Sequence, residues 1–178
     1  MVTKEERLKS EEEHYNKRYA NSKRISGWRI YEIKFFGKYL KNLNNKSLIE
    51  IGCGQGDAIK ELNSELSLDK LKYVGIDISK EGIKKGKINY PNGSFLVGDC
   101  SSLEYKKNSF DAALCLGVLH HLPDPMGGLS ELLRVTKKGG IIMLREPSEK
   151  SFTKGDSEYE RGLKISKIFD IISKKGVK

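Results

Sequence analysis

The sequence predicts an α/β domain, a doubly wound parallel sheet with N-terminal helices, and three observations carry that prediction. Five short apolar runs recur between about residues 48 and 146, each closed by glycine, an acid or polar residues. Helix-like segments alternate with them, the order expected of a parallel sheet. The first run, Leu48-Ile49-Glu50-Ile51, turns through the alternate glycines Gly52, Gly54 and Gly56 straight into a helix.

Before the sheet, residues 1–24 are strongly charged, with Glu11-Glu12-Glu13 followed by His14, Tyr15, Arg18, Tyr19 and Arg24. Trp28, Tyr31, Phe35, Phe36, Tyr39, Leu40 and Leu43 then fall on or near one helical face, a stripe expected to pack on the sheet. The first strand is rich in Leu and Ile, which suits burial on both faces. Glycines at its exit permit conformations closed to other residues and let the main chain approach a ligand. The helix from Asp57 to about Leu66 aims its first N–H groups over that turn. Glu50 near the strand end would be costly to bury unless a cation or a hydrogen bond met it. That combination points to a nucleoside carrying positive charge.

Leu71 to Asp77 reads as the second strand, with Ser79 as N-cap of a helix from about Lys80 to Asn89 that Gly82 and Gly86 should weaken. Ser94 to Cys100 is the third strand, with Asp99 at its end, and Phe110 to Gly117 the fourth, running into Val118-Leu119-His120-His121. Thr136-Lys137-Lys138-Gly139-Gly140 reads as a turn into the fifth, Ile141 to Glu146. A nicotinamide-dinucleotide site fits poorly. Counting from Gly52 and Gly54, the third glycine of its fingerprint falls on Asp57, whose carboxylate would repel a pyrophosphate.

Over about residues 45–147 the chain resembles the class I S-adenosylmethionine-dependent methyltransferases, and within them the small-molecule group that includes the quinone-biosynthesis enzymes. The resemblance implies a Rossmann-like sheet of order 3-2-1-4-5. It places the methionine part of the donor against Glu50, Gly52, Cys53 and Gly54, the ribose on Asp77 and the adenine against Ile78, Asp99 and Cys100. Leu116 would offer its carbonyl to the methionine amino group. Read without the resemblance, Asp77 and Asp99 are turn or cap acids and Ile78 is core. The family's N-terminal cap would correspond to residues 1–43, with Tyr15 and Tyr19 as lid residues over donor and acceptor. The core would be residues 44–147.

Methyl transfer from a sulfonium asks mainly for positioning, so no catalytic residue need stand out. His120 and His121 are the candidate bases, against a structural or pocket-lining role. No metal is expected: Cys53, Cys100 and Cys115 lack ligand spacing. The expected reaction is methyl transfer to a small molecule, leaving S-adenosylhomocysteine. The alternatives are a donor-binding domain without activity of its own and an RNA methyltransferase.

The net charge of +9 raises the nucleic-acid alternative, but the lysines are scattered in pairs such as Lys84-Lys85 and Lys106-Lys107 rather than set in a basic groove with aromatics. With neither a membrane-length apolar run nor a signal peptide, a soluble cytoplasmic protein is expected. The fold usually has sixth and seventh strands, and neither is found. Residues 148–178 read as a polar loop, an amphipathic helix with Leu163, Ile165, Ile168, Phe169 and Ile172, and a cap at Gly176, a chain truncated before the sixth strand. The uncovered fifth strand would then favour a homodimer.

Overall fold

The computed structural model describes residues 3–21, 28–150 and 162–173, with backbone alone at residues 28–33. The expected loop beyond Lys150, the cap at Gly176 and the side chains of Arg24, Trp28 and Tyr31 lie outside the described residues. Five parallel strands form one sheet of order β3-β2-β1-β4-β5. They are β1 (Ser47–Ile51), β2 (Lys72–Asp77), β3 (Ser94–Val97), β4 (Phe110–Leu116) and β5 (Thr136–Arg145). The helices are α1 (Lys4–Asn21), α2 (Trp28–Leu40), α3 (Asp57–Leu66), α4 (Lys80–Asn89), α5 (Pro125–Val135) and α6 (Ile165–Ser173). This is the predicted doubly wound architecture.

Alternation along β1 divides the core. Leu48 joins Tyr73, Phe95, Ile59, Leu62 and Ile83 on the α3–α4 face. Ile49 and Ile51 join Ile76, Ala113, Leu129 and Leu132 on the α5 face. Burial on both sides is why β1 and β4 read as continuous apolar runs. Ile51 pairs with Ile76 on one side and Cys115 on the other, so the strands end together at one edge. The order reverses between β1 and β4, where open α/β sheets bind ligands.

β5, the aromatic stripe and the last segment depart from expectation. β5 begins at Thr136, not after the glycine pair: between the Phe110–Thr136 and Ala112–Ile141 pairs it advances five residues while β4 advances two. The expected turn is therefore a bulge inside the strand, with Gly139 at φ 72°. The aromatic stripe is divided as well. Leu40 and Leu43 are buried and Phe36 packs on the core, but Phe35 and Tyr39 are 55% and 53% exposed. There Phe35 and Tyr39 meet each other and the Lys38 ammonium, 4.2 and 5.1 Å from their centroids. In the last segment Leu163 is buried and Ile168, Ile171 and Ile172 pack inward, whereas Ile165 and Phe169 face solvent. Among the described residues, no helix is long and apolar enough to cross a membrane.

Candidate functional site

At the carboxyl edge the turn after β1 takes positive φ at Gly52, Gly54 and Gly56 (64°, 54° and 74°), which only glycine adopts without cost. A Cβ on Gly52 would strike the Val118 side chain, and one on Gly54 the Tyr19 ring. Asp77, at the end of β2, fixes this turn. One of its oxygens accepts from Gly54 N at 2.8 Å and the other from Ser79 N at 2.8 Å. Ser79 caps α4 as expected, accepting from Gly82 N at 3.0 Å. Burial pushes the Asp77 carboxyl above its ordinary range, against the pull of the Ser79 and Gly54 N–H groups.

A cavity of about 290 Å³ opens beside this turn, at the small end of ligand pockets. Gly52, Asp77, Ile78, Asp99, Cys100 and Leu116 line its floor. Tyr15 and Tyr19 of α1 line it from above, and His120 and His121 close the far end. Three residues expected to line it do not. Glu50 is 3% exposed and accepts from Tyr73 Oη at 2.7 Å, so the neighbouring strand supplies the partner that its burial demands. Cys53 turns its sulfur toward Gly75, and Tyr19 covers Gly54.

Asp99 lies beyond the end of β3, which stops at Val97 instead of running on to Cys100. Its carboxylate accepts from Ser101 N and Oγ at 2.9 and 2.6 Å and meets Lys4 Nζ at 3.2 Å. Burial raises this carboxyl, yet the Ser101 and Lys4 bonds outweigh it and hold the group below its ordinary value. Burial pushes the Cys100 thiol up to about 12.

Helix α1 is docked by polar contacts that sequence reading did not anticipate. Asn16 Oδ1 accepts from Ser79 Oγ at 2.7 Å and Glu81 N at 3.1 Å. Lys80 pairs with Glu12 at 2.8 Å, and Lys85 donates to the carbonyl oxygen of Tyr19. Arg7 is only 6% exposed and donates to Glu11 at 3.0 Å, both residues on the cavity wall.

Past β4 the chain makes one 3₁₀ turn, Leu119–His121, which sets the imidazoles of His120 and His121 against each other with centroids 3.9 Å apart and planes tilted by 38°. The His121 ring meets Tyr15 edge-on at 5.6 Å. Burial, then the neighbouring His120, draws His121 down to about 4. His120 Nδ1 lies 2.7 Å from Glu146 Oε2. Glu146 was not singled out as a site residue, although an acid just past the end of β5 follows the same pattern as Asp77. Among the described residues, no group of three His, Cys, Asp or Glu could hold a metal ion.

The family described as a methyltransferase domain matches residues 42–176. The chain belongs to this family. With the observed strand order, that places it in the class I S-adenosylmethionine-dependent methyltransferase superfamily. It is 33% identical over 151 residues to an uncharacterised methyltransferase of Schizosaccharomyces pombe, covering 76% of this chain and 52% of that protein. It is 33% identical over 105 residues to the demethylmenaquinone methyltransferase of Renibacterium salmoninarum, covering 59% and 43%. The chain thus spans about half the length of these relatives, or less.

Among solved structures, Bacillus subtilis YcgJ superposes with a TM-score of 0.67 at 18% identity, covering 82% of this chain and 67% of that one. The [4+2]-cyclase SpnF gives 0.70 at 20% identity, covering 88% and 60%. A cyclase among these neighbours means that the fold alone does not set the reaction.

Proposed function

We propose that this chain binds S-adenosylmethionine and transfers its methyl group to a small-molecule acceptor. The observation that carries the reading is Asp77, a buried carboxylate pinned across the glycine turn and the α4 cap at the cavity floor. Its oxygens accept from Gly54 N and Ser79 N, and the four lone-pair sites of a carboxylate leave acceptor capacity for a ribose diol. The residues suit the donor chemically: Asp77 for the ribose, Ile78, Asp99 and Cys100 for the adenine, Gly52 and Leu116 for the methionine end. Glu50 lies outside this lining and accepts from Tyr73 Oη.

When bound, the donor supplies a methyl carbon activated by a sulfonium leaving group. The chain's part is to hold, orient and exclude water. Tyr15 and Tyr19, carried on α1, would form the roof that does the last, and α1 would act as a lid. The names of the relatives, which include demethylmenaquinone and phthiotriol methyltransferases, support a small organic acceptor.

Calorimetric titration with S-adenosylmethionine, S-adenosylhomocysteine and NAD tests the reading. Binding of the first two without the third is expected, and binding of NAD alone would overturn it.

A further inference from the structure

Glu146 follows directly on β5, with its side chain only 3% exposed. One carboxylate oxygen accepts from Val118 N and Leu119 N, both at 2.9 Å, and from the Cys115 thiol at 3.3 Å. The other accepts from His120 N at 3.3 Å and faces His120 Nδ1 at 2.7 Å. A buried carboxylate needs such donors to be tolerated. The backbone donors explain its burial, but they do not require an imidazole. The second oxygen spends its shortest contact on a side chain that lines the cavity.

An ionised carboxylate only accepts, so the hydrogen it meets sits on Nδ1 and the lone pair of the neutral ring sits on Nε2. Burial pushes the Glu146 carboxyl up, and the His120, Val118 and Leu119 donors more than reverse it, keeping the group ionised. His121 is differently placed. It packs against the Tyr15 ring, and burial draws it down to about 4, so it stays neutral.

We infer that His120 is the general base for an acceptor that presents a hydroxyl group, and that Glu146 is the positioning residue that fixes its tautomer and orientation. This rests on the methyltransferase reading above. A neutral amine attacks with its own lone pair, whereas a hydroxyl gains nucleophilicity by losing its proton in the transition state. His120 Nε2 takes that proton as the oxygen's electron pair forms the bond to the methyl carbon. The pair of the broken carbon–sulfur bond stays on sulfur, and water then takes the proton from the imidazolium. Around the dyad stand Arg145 on β5, His121 in the same turn, and Cys115 on β4, whose thiol donates to Glu146. Across the cavity stand Glu11, Tyr15 and Arg18 of α1, with Asp77 and Asp99 on the floor.

The test is long-range proton–nitrogen NMR on the full chain labelled with ¹⁵N-histidine, titrated with pH, His120 being assigned through His120→Gln. The wild type should show the Nδ1–H tautomer. In Glu146→Gln the amide oxygen stays with the Val118 and Leu119 N–H groups and the amide nitrogen faces Nδ1. His120 should therefore flip to Nε2–H. Glu146→Asp should restore Nδ1–H.

Adding 4-nitrocatechol, at a pH where the free phenol is still neutral, to protein saturated with S-adenosylhomocysteine should move the His120 nitrogens toward imidazolium and give the bound phenolate spectrum, while aniline should do neither. An Nε2–H tautomer in the wild type, or a tautomer unchanged in Glu146→Gln, would overturn the dyad. Should that variant fail to fold, the wild-type tautomer alone decides. Silence of His120 to millimolar nitrocatechol would overturn the hydroxyl assignment. Calorimetry with S-adenosylhomocysteine on the same samples keeps failure of the donor site separate from failure of the dyad.

Discussion

Both oxygens of Asp77 accept backbone hydrogens, one from the glycine turn and one from the residue that caps α4. This carboxylate therefore bridges two elements that any ligand in the cavity needs in fixed relation. Removing it should affect folding as well as binding. Asp77→Ala leaves two buried N–H groups without their acceptor, at about 1–3 kcal/mol each. Urea denaturation should show that loss, with Asp77→Asn between it and wild type because one acceptor oxygen remains. Affinity for S-adenosylhomocysteine should fall in the same order. An unchanged denaturation midpoint in Asp77→Ala would mean that water satisfies both groups, and that Asp77 serves binding alone. An acid closing a strand ahead of an N-cap serine is visible in sequence, and so is the helix start it announces. That its two oxygens are already engaged by backbone is not visible, because Gly54 reaches it only after the turn has folded.

At the scale of elements, local periodicity located β1 to β4, α3 and α4 to within a few residues, because their burial is a property of each segment's own pattern. It did not locate the seat of α1. That docking uses Asn16 against Ser79, 63 positions apart, and depends on a serine that has already capped a helix. The same holds for His120 and Glu146, 26 positions apart and joined only when β4 and β5 lie side by side.

Asn16→Ala removes the acceptor of the Ser79 hydroxyl and of Glu81 N, and should free α1 with little effect on the sheet. Hydrogen exchange should quicken along residues 4–21 and stay constant in β1 and β4. Equal quickening in both would show that α1 folds as one unit with the core.

A second tie joins three strands. Asp111 accepts from Ser47 N and Oγ at 2.9 and 2.8 Å and from Lys137 Nζ at 2.7 Å. Burial raises its carboxyl, but the Lys137 and Ser47 donors dominate and hold it at about 2. The folded state thus favours the ionised form more than the unfolded chain does, whose aspartates titrate at about 3.9. The tie stabilises fully above about pH 4 and is lost as pH falls toward 2. Thermal denaturation between pH 5 and 2 should fall more steeply for wild type than for Asp111→Asn.

For the whole molecule, the cavity is shared between two bodies of unequal security. Its floor belongs to the sheet, with a core on each face, while its roof is a single helix held by Asn16, Glu12, Lys4 and the Tyr19 carbonyl. A ligand that touches both must stabilise the folded state against the unfolded and the docked roof against the open one. By linkage, S-adenosylhomocysteine at a hundred times its dissociation constant adds about 2.7 kcal/mol. For a chain of this length that raises the melting temperature by about 5–10 °C. NAD, whose pyrophosphate the Asp57 carboxylate would repel, should add nothing.

The roof makes the prediction sharper. If α1 closes on the ligand, Asn16→Ala must spend part of the binding energy on docking a loosened helix, and the shift at the same ligand concentration should shrink. An identical shift in Asn16→Ala and wild type would place the whole of the binding on the floor. The ring contacts of Tyr15 with His121 and of Tyr19 with the glycine turn would then be packing alone.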